Sequence, residues 1–168
     1  MGNNYNLNIF PVVTGGLLSE YPGASAAYSL RGLLEFSTGY DINVVRVRRS
    51  SDNKERNFNA TQITDGTLTT FTGINDGFVV TWYDQSDNSN HASQATAAKQ
   101  AMLVENGVVN LYNGKPSINF ERSLAQKYDL SSDINTVNTV SSIFSVVFFS
   151  YTMFLILELI NFLPETAN

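Results

Sequence analysis

The sequence has no cysteine, a single histidine, and charges on only 15% of its 168 residues. The absence of thiols excludes a disulfide framework, a thiolate metal site and a cysteine nucleophile. One histidine without cysteine also leaves no ordinary ligand set for zinc, and we predict no metal. The ten Lys and Arg are scattered, apart from Arg46, Arg48 and Arg49, so no basic surface follows a phosphate backbone. We therefore predict no nucleic acid partner.

The composition favours a β-protein of an extracellular particle. Net charge is −5, aromatic residues make up 12% of the chain, and Asn, Ser and Thr are abundant. This balance is typical of extracellular or virion β-proteins. The start, "MGNNYNLNIF", lacks the basic and apolar regions of a secretory signal. A virion assembled in the cytoplasm and freed by lysis satisfies both observations, so we expect localisation in a virion.

Several stretches predict regular structure in the first half of the chain. "ASAAYSLRGLLEF", residues 24–36, places apolar residues at helical spacing and predicts one short amphipathic helix. "INVVRVRR", 42–49, alternates and predicts a strand, followed by turn residues at 50–55. "GTLTTFTG", 66–73, is compatible with a short helix or a loop. "GFVVTWY", 77–83, is rich in β-branched and aromatic residues and predicts another strand.

Asn-Gly pairs divide the following part of the chain into short strands. Strand candidates are Met102–Glu105, Val108–Tyr112 and Pro116–Phe120, and the pairs Asn106-Gly107 and Asn113-Gly114 between them favour hairpin turns. Many short strands at regular spacing predict an all-β sandwich or barrel. The length of the chain predicts one domain.

The apolar tail allows two interpretations. The segment 134–163 is apolar, and 143–163 is long enough to cross a bilayer on length alone. Ser145, Glu158 and Asn161, the lack of flanking Lys or Arg, and the enrichment in Phe, Val and Ile favour two buried strands. Membrane contact through 143–163 remains the alternative, because periodicity does not separate the two.

The stretch "TWYDQSDNSNH", 81–91, holds the candidate site. Adjacent strand residues point to opposite faces, and we predict Trp82 inward and Tyr83 outward. A glycosidase needs two carboxyls about 5 Å or about 6.5–9.5 Å apart across a cleft. Asp84 and Asp87 form the best local pair, with Glu121 as a remote third. Carboxylates three residues apart in a polar loop are usually turn formers, so we predict no catalytic residue.

Two further sites are suggested by charge. Asp84, Asp87, Asn88 and Asn90 offer hard oxygen ligands for calcium, but the glycine pivot and distal Glu of an EF-hand are missing. We predict no cofactor, with calcium as the alternative. Arg46 and Arg48 share one face of a strand. We predict a structural ion pair of one of these arginines with Asp84 or Asp52, and a carboxylate-binding or sugar-binding pair is the alternative.

Four stretches together resemble a known pattern. They are "AAYSLR" at 26–31, "VRVRRSSDN" at 45–53, "GFVVTWYDQSDNSNHASQ" at 77–94 and "NGKPSINF" at 113–120. They resemble the amino-terminal part of the catalytic domain of B-type α-L-arabinofuranosidases and related lectin-like domains of bacteriophage structural proteins and bacterial surface proteins. The chain departs from that pattern at Asp87 and Ser89, where the family has glycines.

The resemblance implies a concanavalin A-like antiparallel β-sandwich, or jelly-roll, over 24–168, preceded by an arm at 1–23. The family's nucleophilic Glu and acid Asp lie in segments that match nothing in this chain, so no catalytic residue is carried over. We expect a carbohydrate-binding site at Tyr83, Asp84, Asn88, Asn90 and His91. An exposed aromatic ring and polar side chains suit a sugar.

We therefore predict a non-enzymatic virion protein, a spike, fibre or tail component that can contact host cell-surface glycans. A diverged or truncated glycoside hydrolase and a bacterial surface adhesin are the alternatives. Matching sequence ends near Phe120, so we expect the sandwich to be incomplete on its own. Its strand edges and apolar tail would need cover, which predicts a homo-oligomer and contacts with other virion proteins.

Overall fold

The computed structural model describes residues 16–20, 23–34 and 42–131, together with the backbone of 141–149 and 153–161. The helices are α1 (Leu17–Glu20), α2 (Ala60–Thr64) and α3 (Thr67–Thr72), with 3₁₀ turns at Ala97–Lys99 and Arg122–Leu124. The strands are β1 (Ala26–Ala27), β2 (Asn43–Arg49), β3 (Glu55–Asn59), β4 (Gly77–Trp82), β5 (Ala92–Ser93), β6 (Met102–Glu105), β7 (Val108–Val109), β8 (Leu111–Tyr112), β9 (Lys115–Pro116), β10 (Asn119–Phe120), β11 (Asp129–Leu130), β12 (Ser141–Phe149) and β13 (Met153–Asn161).

Eleven of the described strands belong to one antiparallel sheet, whose main order is β1-β13-β10-β6-β4-β2-β3. Strand β5 pairs with β4 and β11, β7 pairs with β6, and β12 pairs with β13. Strands β8 and β9 form a separate two-stranded hairpin. Every pairing in the described residues is antiparallel, and the helices are short, so the prediction of an all-β protein is confirmed.

The core is made by apolar positions of the central strands. On β2, Val45 and Val47 are fully buried and Arg46 between them is exposed, as a period of two requires, but Val44 is buried too, at an irregularity in the pairing with β3. The buried cluster continues across the neighbouring strands and into the helices: Phe58, Ile63, Leu68, Val79, Trp82, Ala101, Leu103, Val104, Ile118 and Phe120. The strand predicted at 42–49 is found as β2. Of the short helix and the loop that 66–73 allowed, the structure shows the helix, α3.

Both Asn-Gly pairs form the predicted hairpin turns. Asn106 and Gly107 have φ of 49° and 80°, and Asn113 and Gly114 have φ of 47° and 73°. Two successive left-handed residues match the type I′ turn, whose twist fits antiparallel strands. Gly107 has a second constraint, since a Cβ atom there would lie 2.3 Å from the carbonyl oxygen of Gly73. This turn therefore depends on glycine for both conformation and space.

The helix predicted over 24–36 is wrong in the part that the structure describes. Residues 26–27 form β1, which pairs with β13, and 28–34 follow an irregular path. A helix would use the backbone N–H groups for bonds to carbonyls four residues back. Here the N–H groups of Ala27 and Leu33 instead bond to the side chains of Asp84 and Gln85. The helix described near the N-terminus is α1, within the predicted arm, whose residues 1–15 and 21–22 lie outside the described part.

The apolar tail forms two antiparallel strands, so the strand part of the favoured interpretation is confirmed, while the predicted burial concerns side chains outside the described part. Strands β12 and β13 pair from Ser141 with Asn161 to Phe149 with Met153. Positions 134–140, 150–152 and 162–163 of the tail lie outside the described residues. Among the helices that the structure describes, none has the length and apolar character to span a bilayer.

Candidate functional site

The polar stretch 83–91 begins where β4 ends. Trp82 is 4% exposed, and its ring packs against the ring of Tyr28, with the two centroids 5.7 Å apart. Tyr83 is half-buried on the other side of the chain, where its hydroxyl donates to Oδ1 of Asn57 at 2.9 Å. The prediction of Trp82 inward and Tyr83 outward is therefore confirmed. We call residues 84–91, which follow Tyr83, the polar loop.

The carboxylate of Asp84 holds the polar loop to β1. Oδ1 accepts from the backbone N–H of Ala27 at 2.7 Å and of Ser86 at 2.8 Å. Oδ2 accepts from the backbone N–H of Asn90 at 2.9 Å and from the hydroxyl of Ser86 at 2.7 Å. Asp84 is only 8% exposed, and four donors replace the water that its charge loses on burial. Its oxygens are thus used to fix backbone geometry.

Gln85 binds the irregular segment 28–34 through both ends of its amide. Oε1 accepts from the N–H of Leu33 at 2.8 Å, while Nε2 donates to the carbonyls of Ser29 at 3.0 Å and Arg31 at 2.9 Å. The backbone N–H of Gln85 also donates to the carbonyl of Ala27 at 2.8 Å. One buried side chain therefore satisfies three backbone groups that have no helix or strand partner.

The two asparagines of the polar loop extend the same arrangement. The side-chain amide of Asn88 donates to the carbonyl of Ala24 at 2.8 Å, and that of Asn90 to the carbonyl of Ser25 at 2.7 Å. The hydroxyl of Tyr28 donates to the carbonyl of Asn90. Burial raises the pKa of the Tyr28 phenol well above its usual value, and the charge of Asp84 raises it further. Tyr28 therefore stays a neutral donor.

His91 closes the polar loop. Its Nδ1 accepts from the backbone N–H of Asp84 at 3.2 Å, which places the ring hydrogen of the neutral form on Nε2. The His91 and Tyr83 rings meet edge to face, with centroids 5.0 Å apart. Of the predicted carbohydrate-binding residues, Tyr83 and His91 thus form a half-buried aromatic pair at the surface. Asp84, Asn88 and Asn90 instead hold backbone groups of 24–27 and of the loop itself.

The predicted ion pair of Arg46 or Arg48 with Asp84 or Asp52 is wrong. Arg46 pairs with Glu55, Nε to Oε2 at 2.8 Å. Arg48 lies over the ring of Phe78 and donates to Oε1 of Gln100 at 2.7 Å and Oδ1 of Asn53 at 2.9 Å. The prediction failed because the β2–β3 hairpin places Glu55 diagonally across from Arg46, while the donors to Asp84 are three backbone N–H groups and the Ser86 hydroxyl.

Arg49 with Asp52 is one of the ion pairs that sequence reasoning missed. Two parallel bonds join the guanidinium and the carboxylate, at 2.9 and 2.7 Å. Arg49 also donates to the carbonyl of Phe71 at 2.5 Å and lies over the Phe71 ring. The bond from Arg49 keeps the pKa of the Asp52 carboxyl well below its usual value. The spacing of three across the "RSSD" turn was the signal that could have indicated it.

These contacts predict losses of stability of different size for two arginines of β2. Arg46→Ala removes an ion pair whose Arg46 side chain is 45% exposed, so we expect a loss of roughly 0.2–1 kcal/mol of unfolding free energy. Arg49→Ala removes a bidentate pair, a carbonyl bond and an aromatic contact together, so its melting temperature should fall further. Thermal unfolding of both variants measures the difference. An Arg46 variant that is the less stable of the two would contradict this assignment.

The candidate acids do not share one environment. Asp84 is buried beneath its four donors, Asp87 is exposed, and Glu121 caps the turn at Arg122–Leu124 by accepting from the N–H and hydroxyl of Ser123. Within the described ranges, no three acidic or histidine side chains gather as a group that could hold a metal ion. Asp84 is one of the ligands suggested for calcium, and both of its carboxylate oxygens already accept hydrogen bonds from N–H and hydroxyl donors.

No protein-family model, curated protein or solved structure matches the chain. The resemblance to concanavalin A-like domains and the function that it implies therefore stay predictions.

Proposed function

We propose that the chain is a non-enzymatic structural protein of a virion, a spike, fibre or tail component built on a concanavalin A-like jelly-roll sandwich. It associates with further copies of itself and with other virion proteins, and it contacts neutral host glycans without a cofactor. The single observation that supports this proposal best is that the side chains of the polar loop are hydrogen-bonded to the backbone of a neighbouring segment. Asp84, Gln85 and Asn90 bind the backbone of 25–33. The polar loop, which holds the side chains most suited to catalysis or metal binding, therefore acts as a brace for that segment.

The environment of Asp84 argues against a hydrolase centred on the polar loop. A glycosidase needs one carboxyl free to protonate the leaving oxygen and a second facing it across the sugar. Asp84 accepts four hydrogen bonds from its own chain, and Asp87 is exposed in the turn three residues later. A carboxylate held as Asp84 is stabilises the fold, and the exposed Asp87 does not share its buried environment.

The surface pair of Tyr83 and His91 is the contact that we propose for a sugar ring. Tyr83 keeps its hydroxyl fixed on Asn57, so its ring is ordered before any ligand arrives. An ordered aromatic ring presents an apolar face at low entropic cost, while the Nε2–H of His91 can donate to a sugar hydroxyl. Asp84 supports this pair indirectly, because its backbone N–H orients the His91 ring.

An array of host-type oligosaccharides tests glycan contact. We expect the folded protein to bind neutral glycans, and Tyr83→Ala to remove that binding while leaving the circular dichroism spectrum unchanged. Tyr112→Ala, which removes a half-buried ring from the separate β8–β9 hairpin, is the matched control and should bind like the parent. Equal binding by both variants would refute the assignment to Tyr83. If the parent protein binds no glycan on the array, the architectural role alone is left.

Incubation with nitrophenyl α-L-arabinofuranoside tests the hydrolase alternative. We expect no turnover above the rate of the buffer. Turnover that is lost in Asp87→Asn, whose exposed side chain makes the variant safe for folding, would overturn the non-enzymatic proposal. Asp84→Asn gives the same test at the buried carboxyl, with circular dichroism to separate loss of chemistry from loss of fold.

A further inference from the structure

The two ends of the large sheet differ in how their outer edges are protected. Strand β3 lies at one end and pairs with β2, and β12 lies beyond β13 at the other. Among the strands that the structure describes, β13 is the one that pairs with β12. An edge strand presents unpaired N–H and C=O groups and is a template for another strand.

Strand β3 carries the devices that keep an edge from pairing. It is five residues long, its exposed positions are Glu55, Arg56 and Asn57, and the chain turns directly into α2 at Ala60. Charged side chains, short length and a covering element each oppose edge-to-edge association. This end of the sheet is therefore closed to a second copy.

Strand β12 has none of those devices in its sequence. The nine residues "SSIFSVVFF" contain no charge, no proline and no glycine, and their pairing with β13 runs without a shift in register. Nine residues make an edge of about 30 Å, since a strand rises about 3.3 Å per residue. Val, Ile and Phe also favour the extended conformation. The edge is long, regular and uncharged.

We propose that β12 pairs antiparallel with β12 of a second copy of this chain, so that the two sheets join into one across a twofold axis. This inference rests on the self-association in the proposed function and names the surface that carries it. Two identical strands that pair antiparallel bury the same edge on both copies, so the contact is self-complementary and closes at a dimer. Each copy has a net charge of −5, and an uncharged strand keeps like charges out of the contact.

Cysteine crosslinking tests the pairing directly, because the chain has no cysteine of its own. Ser145 is the middle residue of β12, so a central antiparallel pairing brings position 145 of both copies together. Under copper phenanthroline and dioxygen, two thiols form one disulfide, and their two electrons and two protons pass to oxygen. We expect Ser145→Cys to crosslink about tenfold faster than Ser51→Cys, because pairing holds the thiols at millimolar effective concentration. Ser51 lies in the exposed β2–β3 turn.

A cysteine scan over positions 142–148 separates ordered pairing from aggregation. Ordered antiparallel pairing predicts one maximum of crosslinking, with slower rates on both sides as the two thiols move apart. A flat profile, or a rate at every position equal to that of Ser51→Cys, overturns the proposal.

A charge placed in the strand gives an independent test by light scattering. Val146→Lys and Val147→Lys each place a positive charge in β12, and with two positions the test does not depend on the folding of a single variant. We expect the folded variant to shift from dimer to monomer, whereas Val108→Lys, at a position 67% exposed in β7, stays dimeric. If both lysine variants fold and remain oligomeric, the edge pairing is wrong and self-association stands through another surface. If the parent protein is a monomer, both the pairing through β12 and the self-association in the proposed function are wrong.

Discussion

The Asp84→Ala variant is expected to lose about 3–5 kcal/mol of unfolding free energy, because the change leaves several donors without an acceptor. The buried N–H groups of Ala27 and Asn90 both lose a bond to the carboxylate, and Ser86 loses two. Each buried donor left unpaired costs roughly 1–3 kcal/mol. Urea unfolding followed by tryptophan fluorescence measures the loss, since Trp82 lies two residues before the change.

Asp87→Ala is the matched control, since it removes the same group from an exposed position of the same loop. We expect that variant to stay within about 0.5 kcal/mol of the parent protein. Equal stability of the two variants would show that the bonds to Asp84 contribute little, and the role of the polar loop as a brace would fail.

Replacement of Gln85 by leucine is expected to cost about 2–5 kcal/mol and to release the segment 28–34 locally. The change keeps a side chain of similar size but leaves the N–H of Leu33 and the carbonyls of Ser29 and Arg31 without their partners. Arg31 is exposed, so a released segment offers trypsin a cleavage site. We expect cleavage after Arg31 to accelerate under conditions in which the rest of the protein stays folded.

Gln126→Leu provides the comparison for this local effect. The Gln126 amide accepts from the N–H of Glu121 at 2.6 Å and donates to the carbonyl of Gln100 at 2.9 Å, so its loss also destabilises the fold. Those bonds lie away from 28–34, and cleavage after Arg31 should change little. Equal acceleration in both variants would mean that the cleavage reports global unfolding, and the specific hold of Gln85 would be disproved.

Local signals in the sequence were sufficient for much of the fold. The β-branched residues at 43–49 and 77–82 form strands, and the two Asn-Gly pairs form turns, because each choice depends on neighbours within a few residues. Strand β3 was missed, since "ERNFN" has little β-propensity of its own and becomes a strand by pairing with β2. Helix α2 was missed too, although Asn59 and Gln62 form a capping box that its sequence signals.

The candidate site was recognisable as a strand end and polar loop, but its contacts were not. The bonds of Asp84 to Ala27 and of Gln85 to Leu33 join residues 57 and 52 positions apart. The spacing of apolar residues at 24–36 indicates a helix when only neighbours in the sequence are considered. In the fold, side chains that are distant in the sequence form hydrogen bonds with the backbone groups that a helix would have used. The ion pair of Arg46 depended in the same way on which strand lies beside β2.

The side chains of the polar loop hydrogen-bond to backbone N–H and carbonyl groups of 24–33 and make few bonds to the side chains of that segment. Position 31, whose side chain is exposed, illustrates the consequence: every residue type keeps the carbonyl that Gln85 binds, and proline alone would lose the backbone N–H that donates to the Ser29 hydroxyl. Positions 84 and 85 have no such freedom, because their own side chains make the bonds. A saturation library should therefore tolerate many changes at 31 and few at 84 and 85, so that a label or reactive group is better attached at position 31 than in the polar loop.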